Sequence, residues 1–593
     1  MIGLMLLLAC QGQPKTGADS GAPPATATSS PGTTPVGSPT TSGTGTPTGT
    51  GTSTGTGTPT GTGTGAPTGS TSGTDTGDTG ASSTPPPPMW LDASGSVTCA
   101  APERRDAARA DRVELDTVSL PEFGRNLIGS GLAVADLDGD GVPELLVAQP
   151  EDVAVLHRDG DAWVADAPLP YADTIGLSTA DADGDGDLDV VLARWLQPDV
   201  LLLNDGSGTL TATVSGLEAL AHRSVSTSWA DLDGDGVLDL AVAVYADTPL
   251  YMEPLSGLDP NALWHGRGDG TFDDWSDRLP DSVQAAFSFH APWHDLDRDG
   301  TPELLIVNDY PWHAPGQLLV WDGDRFVEDP TSLYATHPID GMGTLIADLD
   351  GDGTPDIAHS SFGALPFLPG TASPDATTGW SWPIDASVSL GLHPDIATHG
   401  RWIGWGMEAV DLDNDTDLDL PVVYGSWSQT PTNGPFDDGA LQRDAMFLQE
   451  DGAFIDVVLD PAWAWEDFGH GRALVATDLN GDGWMDLVKR QLDGPTVVWT
   501  ARCGTHAWLT VEVRDSASAN SRGIGTHIEV QTGDGVQQRV IHAGSSSLMS
   551  GGPPLAHIGL ADADLATVTV TLPDGSQATF SDVATRQRLV IRR

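Results

Sequence analysis

Short apolar runs, each closed by an acidic or glycine-containing turn, make up most of the chain between about residues 130 and 500. Runs such as GLAVA, GLSTA and GTLIA precede acidic segments, and runs such as LLVA and VVLA come after them. Apolar runs this short, bounded by Gly, Asp and Asn, are typical of buried strands, and long helical apolar periods are hard to find. The pattern predicts an all-β protein.

One acidic segment recurs seven times in this region. It first reads ADLDGDGVPELLVA (135–148), and its first aspartate falls at positions 136, 181, 231, 295, 348, 411 and 478. Successive copies are therefore between 45 residues (136 to 181) and 67 residues (411 to 478) apart. That spacing suits four short strands with variable loops and predicts a seven-bladed β-propeller. An open β-solenoid would have shorter and more uniform repeats.

The acidic residues of each copy alternate as calcium ligands do. Calcium binds about six to eight oxygens, and carboxylates at positions 1, 3 and 5 converge when the backbone wraps tightly around the ion. Position 6 needs an unusual backbone angle that glycine supplies, position 7 is expected to offer its carbonyl oxygen, and an acid at position 9 closes the shell. The predicted calcium ligands are Asp136, Asp138, Asp140, Val142, Glu144, Asp181, Asp183, Asp185, Asp187, Asp189, Asp231, Asp233, Asp235, Val237, Asp239, Asp295, Asp297, Asp299, Thr301, Glu303, Asp348, Asp350, Asp352, Thr354, Asp356, Asp411, Asp413, Asp415, Asp417, Asp419, Asp478, Asn480, Asp482, Trp484 and Asp486.

Two other kinds of calcium loop do not fit these segments. An EF-hand loop lies between two helices and requires a bidentate Glu at position 12. The first copy instead has Val147 at position 12 and strand-like flanks. Tandem thrombospondin-type repeats would lie much closer together. With a strand on each side and an acid at position 9, residues 120–500 resemble the FG-GAP/VCBS repeats of integrin-α-type propellers, and Phe123-Gly124 even matches the family name.

Three positions depart from the ideal loop. Thr416 replaces the glycine of the sixth copy and should strain the turn, while Asn480 replaces the second aspartate of the seventh. Both loops are expected to bind calcium more weakly. Arg298 occupies position 4 of the fourth copy, where its side chain can point outward. The alternative for the whole set is a series of acidic turns without metal.

The tail changes pattern at about residue 506. Alternating strands such as WLTVEVRD, HIEVQTG and ATVTVTLPDG, without acidic loops, predict a separate small β domain over 506–593. Residues NSRGIG (520–525), HIGL (557–560) and PDG (573–575) resemble the ASPIC/UnbV domain, which follows VCBS-type propellers in the cartilage acidic protein family and its bacterial relatives. Leu572 stands where that family usually has tryptophan. The resemblance implies an extracellular setting and no established activity.

The N-terminal segment predicts a membrane anchor and a tether. MIGLMLLLAC resembles a bacterial lipobox over 1–10, in which Cys10 would be lipidated, although no basic residue precedes the apolar run. Residues 11–89 are almost wholly Thr, Gly, Pro, Ser and Ala and should remain disordered, and the propeller is expected over 90–505. We therefore expect a protein lipid-anchored in the bacterial cell envelope, exposed at the surface or secreted.

Two further cysteines, Cys99 and Cys503, flank the repeat region. In an exported protein they predict one disulfide, because the two ends of a closed propeller meet. The alternative is two separate thiols.

Histidine and arginine side chains recur just upstream of the acidic loops. That segment enters the innermost strand of a blade, so these side chains could ring one mouth of a central channel and bind an anionic ligand, a sugar or a second metal. The alternative is that they satisfy backbone groups where blades begin. The candidate residues are His222, Arg223, His290, His337, His399, Arg401, His470 and Arg472.

The formal net charge of -58 excludes nucleic acid as an expected partner, because phosphates would be repelled. Outside the Thr/Gly/Pro-rich segment 11–89, the sequence contains no G-x-S-x-G motif, and it contains no H-E-x-x-H, P-loop or dinucleotide motif, so a non-enzymatic protein is expected. The leading prediction is a calcium-stabilised propeller that mediates adhesion to a protein or glycan. A lectin-like carbohydrate binder and, less favoured, a polysaccharide-acting enzyme are the alternatives.

Overall fold

The computed structural model describes residues 88–97, 99, 115–119, 131–160, 162–245, 259–284, 286–329, 339–363, 365–374, 376–392, 402–426, 441–450, 452–457, 468–492 and 494–593. The lipobox with Cys10 and the tether up to residue 87 lie outside these ranges, as do His337, His399 and Arg401. Within them the protein consists of strands and three short 3₁₀-helices, Leu217–Ala219, Ser276–Arg278 and Asp281–Val283. A search of the same ranges finds no helix with the length and apolar character of a membrane span.

The strands, in chain order, begin with the N-terminal segment and the first three repeats. They are β1 (Trp90–Ala93), β2 (Leu115–Ser119), β3 (Leu132–Ala135), β4 (Glu144–Ala148), β5 (Val153–Asp159), β6 (Ala162–Ala165), β7 (Thr174–Ala180), β8 (Asp189–Arg194), β9 (Val200–Asn204), β10 (Leu210–Ala212), β11 (Ser224–Ala230), β12 (Asp239–Val244), β13 (Ala262–Gly266) and β14 (Phe272–Asp274).

The remaining four repeats contribute β15 (Ser288–His290), β16 (Trp293–His294), β17 (Glu303–Asn308), β18 (Gln317–Trp321), β19 (Phe326–Glu328), β20 (Thr344–Ala347), β21 (Asp356–His359), β22 (Phe367–Leu368), β23 (Thr371–Ala372), β24 (Trp380–Ser381), β25 (Gly404–Met407), β26 (Leu420–Tyr424), β27 (Gln442–Arg443), β28 (Ala445–Glu450), β29 (Ala453–Asp456), β30 (Phe468–Gly469), β31 (Gly471–Thr477), β32 (Asp486–Gln491) and β33 (Val497–Ala501).

The C-terminal region contributes β34 (Trp508–Arg514), β35 (His527–Gln531), β36 (Val536–Val540), β37 (Ala543–Ser547), β38 (Ser550–Gly552), β39 (Ala556–Gly559), β40 (Leu565–Thr571), β41 (Gln577–Ala584) and β42 (Gln587–Arg592). The all-β prediction is confirmed.

Each acidic loop lies between two successive strands of one antiparallel sheet. The seven sheets, numbered in chain order, are built on β3–β6, β7–β10, β11–β14, β15–β19, β20–β22, β25 with β26, β28 and β29, and β31–β33 with β2. This strand order is that of a propeller-like fold. The count of seven complete blades stays a prediction, because several intervals between these strands lie outside the described residues.

Apolar side chains pack neighbouring sheets against each other. Both faces of the central strands are buried, as in β4 and β8, so each strand is a continuous apolar run instead of an alternating one. One cluster joins Leu132 and Val134 of the first sheet to Ala473 and Val475 of the last. This contact between the first and the last sheet closes the row of sheets into a ring. Burial of each such aliphatic side chain stabilises the closure by about 1.5–3 kcal/mol.

The N-terminal segment is shared between the ring and the C-terminal region. Strand β2 pairs antiparallel with β33, so it forms the outer strand of the last sheet, and a disulfide joins Cys99 to Cys503 beside it. Strand β1, however, pairs with β42. Residues 90–93 therefore lie at the edge of a C-terminal sheet, and the propeller boundary at residue 90 stays a prediction.

The C-terminal region is not separate from the ring. It forms two four-stranded sheets, β1-β42-β34-β39 and β36-β35-β40-β41, around its own apolar cluster. Between them it extends the hairpin β37–β38, which pairs antiparallel with β11 and in parallel with β3. The hairpin also contacts β7, β20, β25 and β31, which are the first strands of four more sheets.

The tip of this hairpin fills the axis of the ring. Leu548 and Met549 are fully buried in the central apolar cluster, together with Ile175, Trp405 and other side chains of the surrounding sheets. The hydroxyl of Ser550 donates to the carbonyl of Leu474 at 2.9 Å. The central channel assumed from the sequence is thus occupied by the chain itself.

A buried acid lies beyond the end of β17. Asp309 is fully buried, and its carboxyl group accepts hydrogen bonds from the Tyr245 hydroxyl at 3.0 Å and from the Tyr310 N–H at 2.9 Å. Burial, reinforced by the negative charge of Asp340, raises the pKa of Asp309 to about 8.

Asp309→Asn should remove a pH-dependent part of the stability. The folded protein holds a proton that the unfolded chain, with a pKa of about 3.9, releases above that pH. Asp309 therefore makes stability fall as pH rises towards 8, by up to about 1.4 kcal/mol per pH unit, and the variant lacks this contribution to the slope. Urea unfolding between about pH 5 and 7 measures it, with Asp322→Asn in an exposed turn as the control. A difference between wild type and Asp309→Asn that does not change with pH would contradict the assignment.

Candidate metal centre

The seven acidic loops share one hydrogen-bonded conformation. The carboxylate at position 1 accepts a hydrogen bond from the N–H of position 6 at 2.7–3.1 Å in every loop. The carboxylate at position 5 accepts one from the N–H of position 7 at 2.8–3.1 Å. These bonds curl the backbone so that positions 1, 3 and 5 face a common centre.

The acid at position 9 fastens each loop to its sheet. It is the first residue of the strand that follows the loop, or, in the sixth loop, the residue directly before that strand. One of its oxygens accepts a hydrogen bond from the N–H of position 2 at 2.8–2.9 Å in all seven loops. In five loops the other oxygen accepts an N–H from further along the sheet, as Asp239 does from Gly266 at 2.9 Å. The position-9 side chains are buried or nearly so.

The carboxylates converge closely enough to hold a cation. In four loops, one oxygen from each of three acids lies within 4.8 Å of the others, as for Asp136, Asp138 and Glu144. Oδ1 of Asp136 and Oδ1 of Asp348 are buried and accept no hydrogen bond from the described residues. Oxygen donors oriented inward and left unsatisfied fit a hard divalent cation such as calcium.

Burial gives these carboxylates raised pKa values. Desolvation raises the pKa of Glu303 to about 9 and that of Asp239 to about 8, and the neighbouring aspartates of each loop add to the shift. The pKa of Asp181 rises to about 6 for the same leading reason. A bound cation would supply the positive charge that the described surroundings of these groups lack.

Two positions in each loop require left-handed backbone. At position 6, φ lies between 82° and 101°, and Thr416 adopts 100° where the other loops have glycine. At position 4, Arg298 and Asn414 adopt φ of 60° and 59°, matching 72–77° at the glycines of the other loops. The strain at Thr416 is predicted from the sequence. The sequence analysis does not predict the same requirement at position 4, although glycine at that position in five of the seven copies indicates it.

Thr416→Gly should stabilise the protein by about 1 kcal/mol, because a β-branched residue is strained at positive φ and glycine is not. The matched control is Gly353→Thr in the fifth loop, at φ of 89°, which should destabilise by about 1–3 kcal/mol. Urea unfolding at neutral pH compares the two variants with wild type. Destabilisation by Thr416→Gly would show that the side chain, not the backbone angle, determines the stability of this loop.

The C-terminal region covers the face that carries the acidic loops. Against the second loop, the Ser521 hydroxyl donates to Asp181 Oδ2, and Arg522 Nη2 donates to the Gly186 carbonyl at 2.6 Å. Against the third, the Asn520 N–H donates to the Gly236 carbonyl at 2.8 Å. Three polar contacts thus join one short segment to two loops.

The other loops are covered in the same way. Against the fourth loop, Arg298 donates to Gln538. In the sixth, Asn414 is hydrogen-bonded to His557 at 2.8 Å, and in the seventh a side chain at Gly483 would collide with Trp508. Arg588 acts electrostatically on Asp136 of the first loop, and Arg539 on Asp348 of the fifth. Every acidic loop is therefore in contact or electrostatic interaction with the C-terminal region.

The described members of the proposed histidine and arginine set do not surround an open channel. His290, His470 and Arg472 are buried. Arg472 donates from Nη2 to the Ser426 carbonyl at 2.8 Å and lies over the Trp405 ring. This arrangement favours the alternative in which these side chains satisfy backbone groups and pack between sheets.

The remaining two described members lie nearer the surface. Arg223 pairs with Asp259 at 2.6 Å, and His222 is half-buried.

Comparison with known proteins relates these features to two families. Three stretches, 136–192, 181–242 and 295–359, match the FG-GAP-like repeat, and residues 516–593 match the ASPIC and UnbV domain. Cartilage acidic protein 1 of Xenopus tropicalis is 25% identical over 283 residues, which is 45% of this chain and 39% of that protein. The human protein is 26% identical over 277 residues, 44% of this chain and 38% of its own length. The chain thus spans well under half of these curated relatives.

Solved structures give more distant matches. A lectin of Agrocybe aegerita that recognises non-reducing terminal N-acetylglucosamine has a TM-score of 0.37 and 15% identity, over 58% of this chain and 88% of the lectin. YCF48 bound to D1 peptide has a TM-score of 0.37 and 8% identity, over 66% of this chain and 96% of that one.

Proposed function

We propose that this chain, which carries FG-GAP-like repeats followed by an ASPIC and UnbV domain, is a calcium-stabilised adhesion protein that binds a protein or glycan outside the cell. The observation that carries the proposal is the common conformation of the acidic loops, in which buried carboxylates converge. Lipidation of Cys10 would hold it at the bacterial envelope. The proposed role is a binding role without catalysis.

In this proposal calcium has a structural role. The carboxylates at positions 1, 3, 5 and 9 would hold the ion, with the carbonyl of position 7, and the ion would neutralise their mutual repulsion. The loops lie beneath the C-terminal region, which argues against rapid exchange as in a calcium sensor. Weak sites, with dissociation constants of about 10⁻⁴–10⁻³ M, suffice where extracellular calcium is plentiful.

Millimolar calcium should raise the melting temperature relative to chelator. A site with tenfold excess of ion over its dissociation constant adds about 1.4 kcal/mol. Asp348→Asn removes a position-1 ligand and should lower the calcium stoichiometry by one in titration calorimetry, whereas Asp205→Asn, in an exposed turn outside the acidic loops, should not. Equal melting temperatures of the wild type in calcium and in chelator would refute the calcium proposal.

The face opposite the acidic loops is the one on which a partner would bind. Tyr310 and Trp312 follow β17, and the acidic loop precedes it, so they lie at opposite ends of that strand. The Trp312 side chain is 65% exposed and packs edge-on against Tyr310. Exposed tryptophan is the residue type most enriched at interaction hot spots, and its flat ring also suits stacking on a sugar. A carbohydrate ligand is therefore the second candidate.

Trp312→Ala should weaken adhesion to native envelope material or to a glycan-array hit by at least tenfold, since loss of a hot-spot tryptophan costs about 2 kcal/mol or more. Trp90→Ala is the matched control, because Trp90 is 53% exposed on β1 of the C-terminal sheet. Binding only to glycans would select the lectin alternative. Equal binding by both variants and wild type would remove this face from the proposal.

A further inference from the structure

Three histidines from separate parts of the sequence line one cavity. His294 ends β16 just before the fourth acidic loop, His527 begins β35, and His542 precedes the hairpin strand β37. The cavity has a volume of about 170 Å³ and lies where the fourth sheet meets the C-terminal region. The three residues belong to none of the calcium positions and are not members of the histidine and arginine set predicted from the sequence.

The rings are spaced as metal ligands are. The ring centres of His294 and His542 are 5.5 Å apart, and those of His294 and His527 are 6.3 Å apart. Around a tetrahedral ion with metal–nitrogen bonds of about 2.0–2.1 Å, imidazole centres lie roughly 5 Å from one another. The two spacings exceed this value by roughly 1 Å.

Nitrogen atoms at this place are buried and unsatisfied. His294 is only 8% exposed, and its Nδ1, like Nε2 of His527, has no hydrogen-bond partner among the described residues. The carboxylate of Asp295 comes no closer than 4.0 Å to that Nε2. An unsatisfied buried donor or acceptor costs about 1–3 kcal/mol, so such atoms in a native protein imply a missing partner. Burial lowers the pKa of His542 to about 4, which keeps its imidazole neutral and able to donate a lone pair.

The charges around the cavity tolerate a cation. Two guanidinium groups, Arg298 and Arg539, and three carboxylates, Asp295, Asp348 and Glu408, line it. Arg298 is held by Gln538, and Arg539 interacts with Asp348 across the interface. Glu408 belongs to none of the calcium loops, so its carboxylate is the one that offsets part of the repulsion between a dication and the two arginines when calcium is bound.

We propose that His294, His527 and His542 bind a divalent transition metal of the zinc class and so join the ring to the C-terminal region. Imidazole nitrogens select this class over calcium, which prefers oxygen. Three histidines leave a fourth tetrahedral position, and the cavity has room there for water. The site is independent of the proposed adhesive function.

Cobalt(II) and zinc(II) added to the full chain in saturating calcium test the site, because calcium occupies the acidic loops first. We expect one cobalt ion per chain with the intense visible absorption of tetrahedral geometry, displaced by zinc. X-ray absorption on the zinc-loaded protein should show imidazole nitrogens at about 2.0 Å. Absence of metal binding, or a metal ion coordinated only by oxygens, would overturn the proposal. This result requires no variant and does not affect the proposed adhesive function.

Variants then assign the ligands. His294→Ala and His542→Ala should each weaken zinc binding by at least a hundredfold in calorimetry. His157→Ala is the control, because His157 is partly exposed and pairs with Asp166 in the first sheet. Melting temperatures in calcium without zinc establish that each variant is folded. Folded variants that bind zinc as tightly as wild type would exclude these histidines.

Discussion

The buried acid at position 9 holds each repeat together. It stands at the start of the strand that follows the loop and accepts a hydrogen bond from that loop. In five repeats it accepts another from farther along the sheet, as Asp486 does from Ala501. One side chain thus fixes the loop, the second strand and a later part of the same sheet. An uncompensated buried charge costs several kcal/mol, so each repeat needs a proton or a cation. Because this requirement recurs around the ring, the proposed calcium binding would be linked to folding of the ring.

The features that could be predicted from the sequence are local. The alternation of acids and glycines, the short apolar runs and the spacing of copies determine the strands, the loops and the inward-facing carboxylates, because all of these depend on residues within about ten positions of one another. The sequence even predicts the backbone strain at Thr416, because φ at position 6 depends on the loop alone. For position 9 the sequence predicts only a calcium ligand, and its hydrogen bonds to backbone N–H groups become evident only in the structure.

The features that could not be predicted depend on contacts between distant segments. Nothing in the segment SSSLMSGG indicates that residues 543–552 fill the axis of a ring formed hundreds of residues earlier. The contact between the C-terminal region and the acidic loops is reflected in the amino-acid composition. Seven of the 26 basic residues fall in the tail, at Arg514, Arg522, Arg539, Arg586, Arg588, Arg592 and Arg593. A tail this rich in arginine on so acidic a chain indicates an acidic surface beneath it, but not its geometry.

The disulfide between Cys99 and Cys503 has a mechanical consequence. Tension applied ahead of Trp90 first loads the pairing of β1 with β42 and then reaches Cys99. From there the covalent bond passes the load directly to Cys503, five residues before β34. The residues between the two cysteines, which are 404 positions apart in the sequence, lie outside that path. Once β1 has separated from β42, a pull between the N-terminal segment and the C-terminal sheets is carried by one sulfur–sulfur bond, and the ring with its acidic loops lies outside the path of the load.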